Sequence, residues 1–242
     1  MGKWILATNK CLLSQQLGIG AMRTKLTIHR LDPDSDKEPR YETFEMDVEQ
    51  GETVLAALIK VYEKFDPSLS FRFACGKLKC GECAVMVNKI PCLACEKKIE
   101  PEMIIEPLPN LPVIKDLVID RNRVLKTIFE SAFQLRESRN VAHQEGVINS
   151  EAVDRYVKLT SCLECLMCQS TCPVLKKNSG QFIGPLGLLW LAQAKLIDSS
   201  ERAEVRDSVE MCTGCGWCWK VCPSKVDFLE DAITRLLNKG EA

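Results

Sequence analysis

Cys162-Leu-Glu-Cys165-Leu-Met-Cys168-Gln-Ser-Thr-Cys172-Pro173 returns fifty residues later as Cys212-Thr-Gly-Cys215-Gly-Trp-Cys218-Trp-Lys-Val-Cys222-Pro223. Both copies carry the C-x2-C-x2-C-x3-C-P spacing that holds paired [4Fe–4S] clusters. Three thiolates within seven residues wrap the chain around one cubane. The fourth, fixed before a proline, points away and completes the other cluster. The spacing therefore assigns one [4Fe–4S] to Cys162, Cys165, Cys168 and Cys222, and a second to Cys172, Cys212, Cys215 and Cys218. Disulfides suit short secreted chains, whereas this one has 242 residues and balanced charge. A zinc site needs two cysteine pairs set apart by a longer loop, not four crowded cysteines in duplicate.

Upstream, Cys75-Gly-Lys-Leu-Lys-Cys80-Gly-Glu-Cys83, with Cys95 twelve residues on, has the C-x4-C-x2-C…C spacing of a plant-type [2Fe–2S] site. Cys92, three residues before Cys95, is an equally placed fourth ligand on spacing alone. Twelve of the fourteen cysteines thus have a cluster, leaving Cys11 and one of the 92/95 pair. Spare cysteines are ordinarily small buried hydrophobes. His29 and His143 lie far from every cysteine motif, so Rieske-type ligation is not expected.

The fold expected around these motifs is α+β: an N-terminal β-grasp plant-type [2Fe–2S] ferredoxin domain and a C-terminal all-α bacterial-type ferredoxin domain. The divisions are an N-terminal extension over 1–21, the [2Fe–2S] domain over 22–120 and the two-cluster domain over 121–242. Leu26–Leu31 and Tyr41–Val48 alternate as strands, joined by turn residues Asp32-Pro-Asp-Ser-Asp36. Thr53 is placed to cap a helix starting at Val54. Ala84–Val87 and Met103–Glu106 read as further strands. Past a proline-rich connection at 107–112 the periodicity becomes helical: Val124, Leu125, Ile128, Phe129, Ala132 and Phe133, then Leu186–Ile197 and Phe228–Leu237. The apolar run Ile183–Ala192 is too short to span a membrane and is expected to be a buried helix. Trp217 and Trp219 flank cluster cysteines and are expected to pack over them and exclude water.

Thirty-two basic and thirty-three acidic residues give a net charge of −1, with no basic face to attract nucleic acid. No transmembrane span is expected, and the apolar patch Trp4–Ala7 is too short for a secretory core. No phosphate-binding glycine loop, nucleophile elbow or HExxH motif is present. What remains is one-electron transfer through three clusters, with no catalytic residue in this chain and substrate chemistry left to a cofactor elsewhere.

The order of motifs, plant-type first and then the tandem pair, resembles the iron–sulfur subunits of succinate dehydrogenases and fumarate reductases. Phe73-Ala-Cys75 through Cys83 resembles that family's first cluster loop, and Leu93-Ala-Cys95 its closing ligand, which favours Cys95 over Cys92. Leu108–Asp120 resembles the interdomain segment and Phe182–Leu189 the stretch after the first tandem motif. The resemblance covers about residues 24–240. It implies a respiratory complex in which a FAD-containing flavoprotein interconverts succinate and fumarate and electrons pass along the three clusters. Most members lack a cysteine at Cys215 and hold a [3Fe–4S] there. The complete ligand set here implies [4Fe–4S], with [3Fe–4S] as the alternative. Quinone-reactive members carry a tryptophan and a histidine where this chain has Val174-Leu-Lys-Lys177 and Thr213. The extra cysteine is shared with a branch whose acceptor is a heterodisulfide-reductase-like subunit rich in Cys-Cys-Gly motifs. The implied partners are thus the flavoprotein and either a membrane anchor or such a subunit. The implied location is cytoplasmic, peripheral on the inner face of the cell membrane. The rival readings are a subunit serving another flavoprotein dehydrogenase or enoate reductase, and a free-standing ferredoxin carrier.

Overall fold

The computed structural model describes residues 21–134, 150–177, 182–197, 208–233 and 236. The expected N-terminal extension, with Cys11 and Trp4–Ala7, lies outside these residues apart from Ala21, as do His143 and Leu237.

β1 (Ala21–Arg30) and β2 (Arg40–Glu49) form an unbroken antiparallel ladder from Ala21 opposite Glu49 to Arg30 opposite Arg40. Both strands run longer than the alternation suggests. Leu26 and Ile28 on β1 and Met46 and Val48 on β2 turn to the core, two residues apart as the pleat requires. The turn between them holds Asp32 O against the Ser35 and Asp36 amides at 3.0 and 2.7 Å. α1 (Val54–Lys64) is capped as expected, the Thr53 hydroxyl accepting from the Ala56 N–H at 3.3 Å. It buries Val54, Leu55, Ala57, Leu58 and Val61, one helical face, against the sheet.

β3 (Ala84–Val87) and β4 (Ile90–Leu93) make a hairpin whose two loop residues, Asn88 and Lys89, have φ of 49° and 66°. Positive φ at both positions matches the twist of the flanking strands. β4 is not evident in the sequence because Pro91 sits inside it. The strand lies at the sheet edge, where a residue without an N–H is tolerated. β5 (Glu102–Glu106) runs parallel to β1 and closes the order β2-β1-β5-β3-β4. This mixed sheet holding one helix is the β-grasp arrangement. A small ribbon, β6 (Val113–Lys115) with β7 (Val118–Ile119), follows.

From Arg121 onward the described residues contain helices and loops but no strand. The helices are α2 (Arg121–Gln134), α3 (Ser150–Thr160), α4 (Met167–Thr171), α5 (Pro173–Lys177), α6 (Gly184–Ile197) and α7 (Trp217–Lys220). Phe228–Ile233 is helical as expected but winds as a π-helix. α3 has no counterpart in the sequence reading. The apolar run forms most of α6, with Leu186, Leu188 and Leu189 fully buried. Gln169 fastens the start of α6: its side chain donates to the Ile183 carbonyl at 3.3 Å and accepts from the Leu186 N–H at 3.1 Å. One hydrophobic core runs from Leu26 and Leu58 in the sheet half to Leu186 and Phe228 in the helical half.

Candidate functional site

The two tandem loops share one backbone conformation. In the first, Glu164 and Leu166 have φ of 50° and 65°. In the second, Gly214 and Gly216, at the same offsets from their first cysteine, have φ of 65° and 72°. Alternating left- and right-handed residues turn successive N–H groups toward one concavity, which suits an anionic cluster. Glycine adopts this shape freely, so the second copy is unstrained. The first copy places Glu and Leu there, and full burial of Leu166 helps hold it. The Glu164 N–H lies 3.4 Å from Cys162 Sγ, the start of such an N–H···S cradle.

Cys162, Cys165, Cys168 and Cys222 line one small recess, together with Leu186 and Phe228. Cys222 comes from the second motif, so a cysteine of one motif lies beside the loop of the other. Burial pushes the Cys162 thiol up to about 12, and negative charge on Cys165 or Cys222 acts in the same direction. Burial raises Cys168 well above its ordinary value, with Cys165, Cys162, Cys218 and Cys222 adding to it. Such thiols give up their protons only to a cation at the same place. Cys172, reciprocally, is raised by burial and by Cys215 and Cys212. Burial also pushes Cys218 up to about 12, with Cys212, Cys215 and Cys172 as its charged neighbours. The cysteines thus divide into two sets, each completed from the other motif. Among the described residues no three His, Cys, Asp or Glu side chains are placed to hold a single metal ion. The donors gathered in the recess are four thiols, the ligand type that iron–sulfur clusters take.

In the upstream loop the Lys77 and Lys79 N–H groups reach Cys75 Sγ at 3.4 and 3.3 Å and lower its thiol to about 7. Cys83 is pushed up to about 12 by burial, with Cys95 its hydrogen-bond neighbour and Cys80 also acting on it. Cys92 faces elsewhere. It pairs with Val85 across the hairpin, burial pushes its thiol up to about 12, and the charged groups acting on it are Lys97 and Glu96. Replacing Cys95 by alanine is therefore expected to abolish the [2Fe–2S] visible absorption and lower bound iron by about two atoms. Cys92→Ala is expected to retain both, and iron analysis beside the spectrum distinguishes them.

The tryptophans depart from expectation. Trp217 and Trp219 are 51% and 47% exposed and do not seal the cluster pocket. On the short turn of α7, Cys218 points inward, so residues one step to either side rotate about 100° away toward solvent. Lys220 Nζ sits 5.0 Å from the Trp217 ring centroid, a cation–π contact at the surface. His29 is structural, its Nδ1 3.3 Å from the Asp116 carbonyl oxygen and its ring edge-on to Tyr41.

Residues 25–126 match the family described as a 2Fe-2S iron-sulfur cluster binding domain, and residues 158–226 match the 4Fe-4S dicluster domain. Iron–sulfur clusters are thus the cofactors of both halves. The chain is 32% identical over 212 residues to a subunit of fumarate reductase (CoM/CoB) from Methanothermobacter marburgensis, covering 86% of this chain and 42% of that protein. It is 28% identical over 221 residues to the fumarate reductase iron-sulfur subunit of Haemophilus influenzae, covering 82% and 86% of the two chains. The chain spans about two fifths of the length of the archaeal relatives it matches. In fold it superposes on a chain of the Mycobacterium smegmatis Sdh1 complex in the apo form, with a TM-score of 0.76 and 24% identity over 90% of this chain and 95% of that one. No helix among the described residues is long and apolar enough to cross a membrane.

Proposed function

We propose that the chain is an iron–sulfur subunit of the succinate dehydrogenase and fumarate reductase kind, relaying single electrons between a FAD-containing flavoprotein and a second acceptor or donor subunit. The observation that carries this reading is the crossing of the tandem motifs. The recess holding Cys162, Cys165 and Cys168 is completed by Cys222, an arrangement suited to a cluster pair.

The ligands we assign are Cys75, Cys80, Cys83 and Cys95 to a [2Fe–2S] cluster, and Cys162, Cys165, Cys168 and Cys222 to a [4Fe–4S]. Cys172, Cys212, Cys215 and Cys218 hold a second [4Fe–4S]. The clusters supply one-electron oxidation and reduction. The chain's residues position them, donate N–H groups to their sulfurs and exclude water. The division is a cluster domain over 22–120 and a two-cluster domain over 121–242, preceded by an extension over 1–21. The flavoprotein docks on the [2Fe–2S] half and supplies the succinate and fumarate chemistry. Thr213 and Lys177 stand where quinone-reactive relatives have histidine and tryptophan, which supports a heterodisulfide-reductase-like acceptor over a membrane anchor. The CoM/CoB in the archaeal relative's name supports the same choice. The complex sits in the cytoplasm, peripheral to the inner face of the membrane.

Anaerobic affinity purification of the chain from its native cell, with mass spectrometry and flavin analysis, tests this. A co-purifying flavoprotein together with a subunit rich in Cys-Cys-Gly motifs is the expected result. A flavoprotein with a multi-span heme protein overturns the choice of acceptor. Absence of any flavoprotein overturns the subunit reading and leaves a free-standing carrier.

A further inference from the structure

Gly81, between Cys80 and Cys83, is the point where the upstream loop touches the helical half. Its φ is +69°, and a Cβ built on it would stand 2.7 Å from the Leu163 carbonyl oxygen, 2.9 Å from the Cys165 Cβ and 3.2 Å from its Cα. Two of these are overlaps, and two of the three atoms are backbone. Cys165 carries one of the thiols assigned to the first tandem cluster. Gly76, in the same upstream loop, has nearly the same φ of +62°, yet nothing lies within 4 Å of where its Cβ would be. A left-handed backbone is thus common to both positions, whereas only Gly81 lacks space.

The seam is held closed from one side. Arg121 Nη1 pairs with Glu82 at 3.1 Å, and its Nη2 donates to the Leu163 carbonyl at 3.4 Å. Arg72 approaches Glu82 at 3.7 Å. One guanidinium therefore grips the residue after Gly81 on one loop and the residue before Glu164 on the other. The Arg121 side chain is only 12% exposed, so solvent screens these contacts weakly.

We propose that Gly81 is a spacing residue for electron transfer: having no side chain, it lets the upstream loop rest on Cys165 and sets the gap that an electron crosses between the [2Fe–2S] cluster and the first [4Fe–4S]. The proposal rests on the ligand assignment above. One electron leaves one cluster as the other gains it, with no bond made or broken and no proton moved. Tunnelling falls steeply with separation, so a methyl group wedged against Cys165 acts on rate while every ligating thiol stays in the chain. Gly81 is a positioning residue, working through the distance between groups it does not itself bind.

The test uses the anaerobically purified complex with Gly81→Ala, and Gly76→Ala as the control for backbone strain alone. Iron and sulfide content is measured first. Dithionite-reduced samples then report the magnetic interaction between the two reduced clusters by EPR, and rapid-freeze samples report the rate at which the electron crosses. Gly81→Ala is expected to keep its iron, to weaken the spin–spin broadening and to slow crossing several-fold, with Gly76→Ala matching the wild type. Unchanged coupling and rate in Gly81→Ala, or an equal loss in Gly76→Ala, overturns the proposal. If Gly81→Ala does not assemble, the wild type decides: broadening between the first two clusters supports the seam as the crossing point, and its absence overturns it. A wild type lacking either the [2Fe–2S] or the [4Fe–4S] signal overturns the ligand assignment itself.

Discussion

Cys215→Ser is expected to turn the last cluster into a three-iron [3Fe–4S] centre, lowering bound iron by about one atom per chain and adding an EPR signal in the oxidised protein. Cys215 is the one exposed member of its set, at the tip of a loop with left-handed residues on both sides. Cys172, Cys212 and Cys218, which share its surroundings, are assigned to the same cluster. No spare thiol can move in, and a serine hydroxyl is a harder, poorer ligand for this iron. Cys215 is exposed, so the substitution leaves the buried core packing intact. The recess lined by Cys162, Cys165, Cys168 and Cys222 is separate, and its [4Fe–4S] signal should persist. Removing a thiolate also removes negative charge, so the potential of this centre should rise in a redox titration. Retention of the full iron content with no new oxidised signal would show that Cys215 is not a ligand.

The largest stability effect is expected at Arg30, whose side chain is 3% exposed at the end of β1. Its Nε donates to Asp116 at 3.1 Å, Nη1 to Glu42 at 2.5 Å and also to Asp66, and Nη2 to the Ser68 hydroxyl at 2.8 Å. Asp116, 2% exposed, also accepts from the Leu31 and Ser70 N–H groups at 3.0 and 2.8 Å. One buried guanidinium thus ties the first strand, the end of α1 and the turn before β7. Arg30→Met keeps the side-chain volume but leaves Asp116 buried without its cation, a loss of about 3–5 kcal/mol. The denaturant midpoint, followed by far-UV circular dichroism under anaerobic conditions, should fall accordingly. Arg30→Met combined with Asp116→Asn should recover part of that loss, because the buried carboxylate charge is then gone while an oxygen remains to accept from the Leu31 N–H. A midpoint unchanged in Arg30→Met would rule the network out as a source of stability.

The same network carries a pH dependence. Hydrogen bonds from Ser68, and then the Arg30 guanidinium, hold the Asp66 carboxyl at about 2, below its ordinary value. A carboxyl depressed in the folded state contributes fully above its unfolded pKa of about 3.9, and the contribution drains away as pH falls toward the folded value. Asp66→Asn should therefore lower stability near neutrality and flatten its decline between about pH 4 and pH 2. Stability of the variant against the wild type across that range checks the sign.

The sequence by itself determined everything that adjacent residues can encode. A cluster loop is built from neighbours, so the spacings at Cys75, Cys162 and Cys212 were readable, as were the alternation of β1 and β2 and the Thr53 cap, because each obeys a short period or a local hydrogen bond. Crossing of the tandem motifs is expected for the same reason, since the proline after each fourth cysteine turns it away. Tertiary structure decided whatever depends on register or on residues far apart. Cys92 pairs with Val85 in the register of β4 against β3, whereas Cys95, past the end of β4, lies beside Cys83. Trp217 and Trp219 face solvent because Cys218 takes the inward side of α7. The Arg30 network gathers residues 30, 42, 66, 68 and 116, and the seam at Gly81 joins residues 81, 121, 163 and 165. No local pattern records such meetings, because they exist only once separate segments have packed against one another.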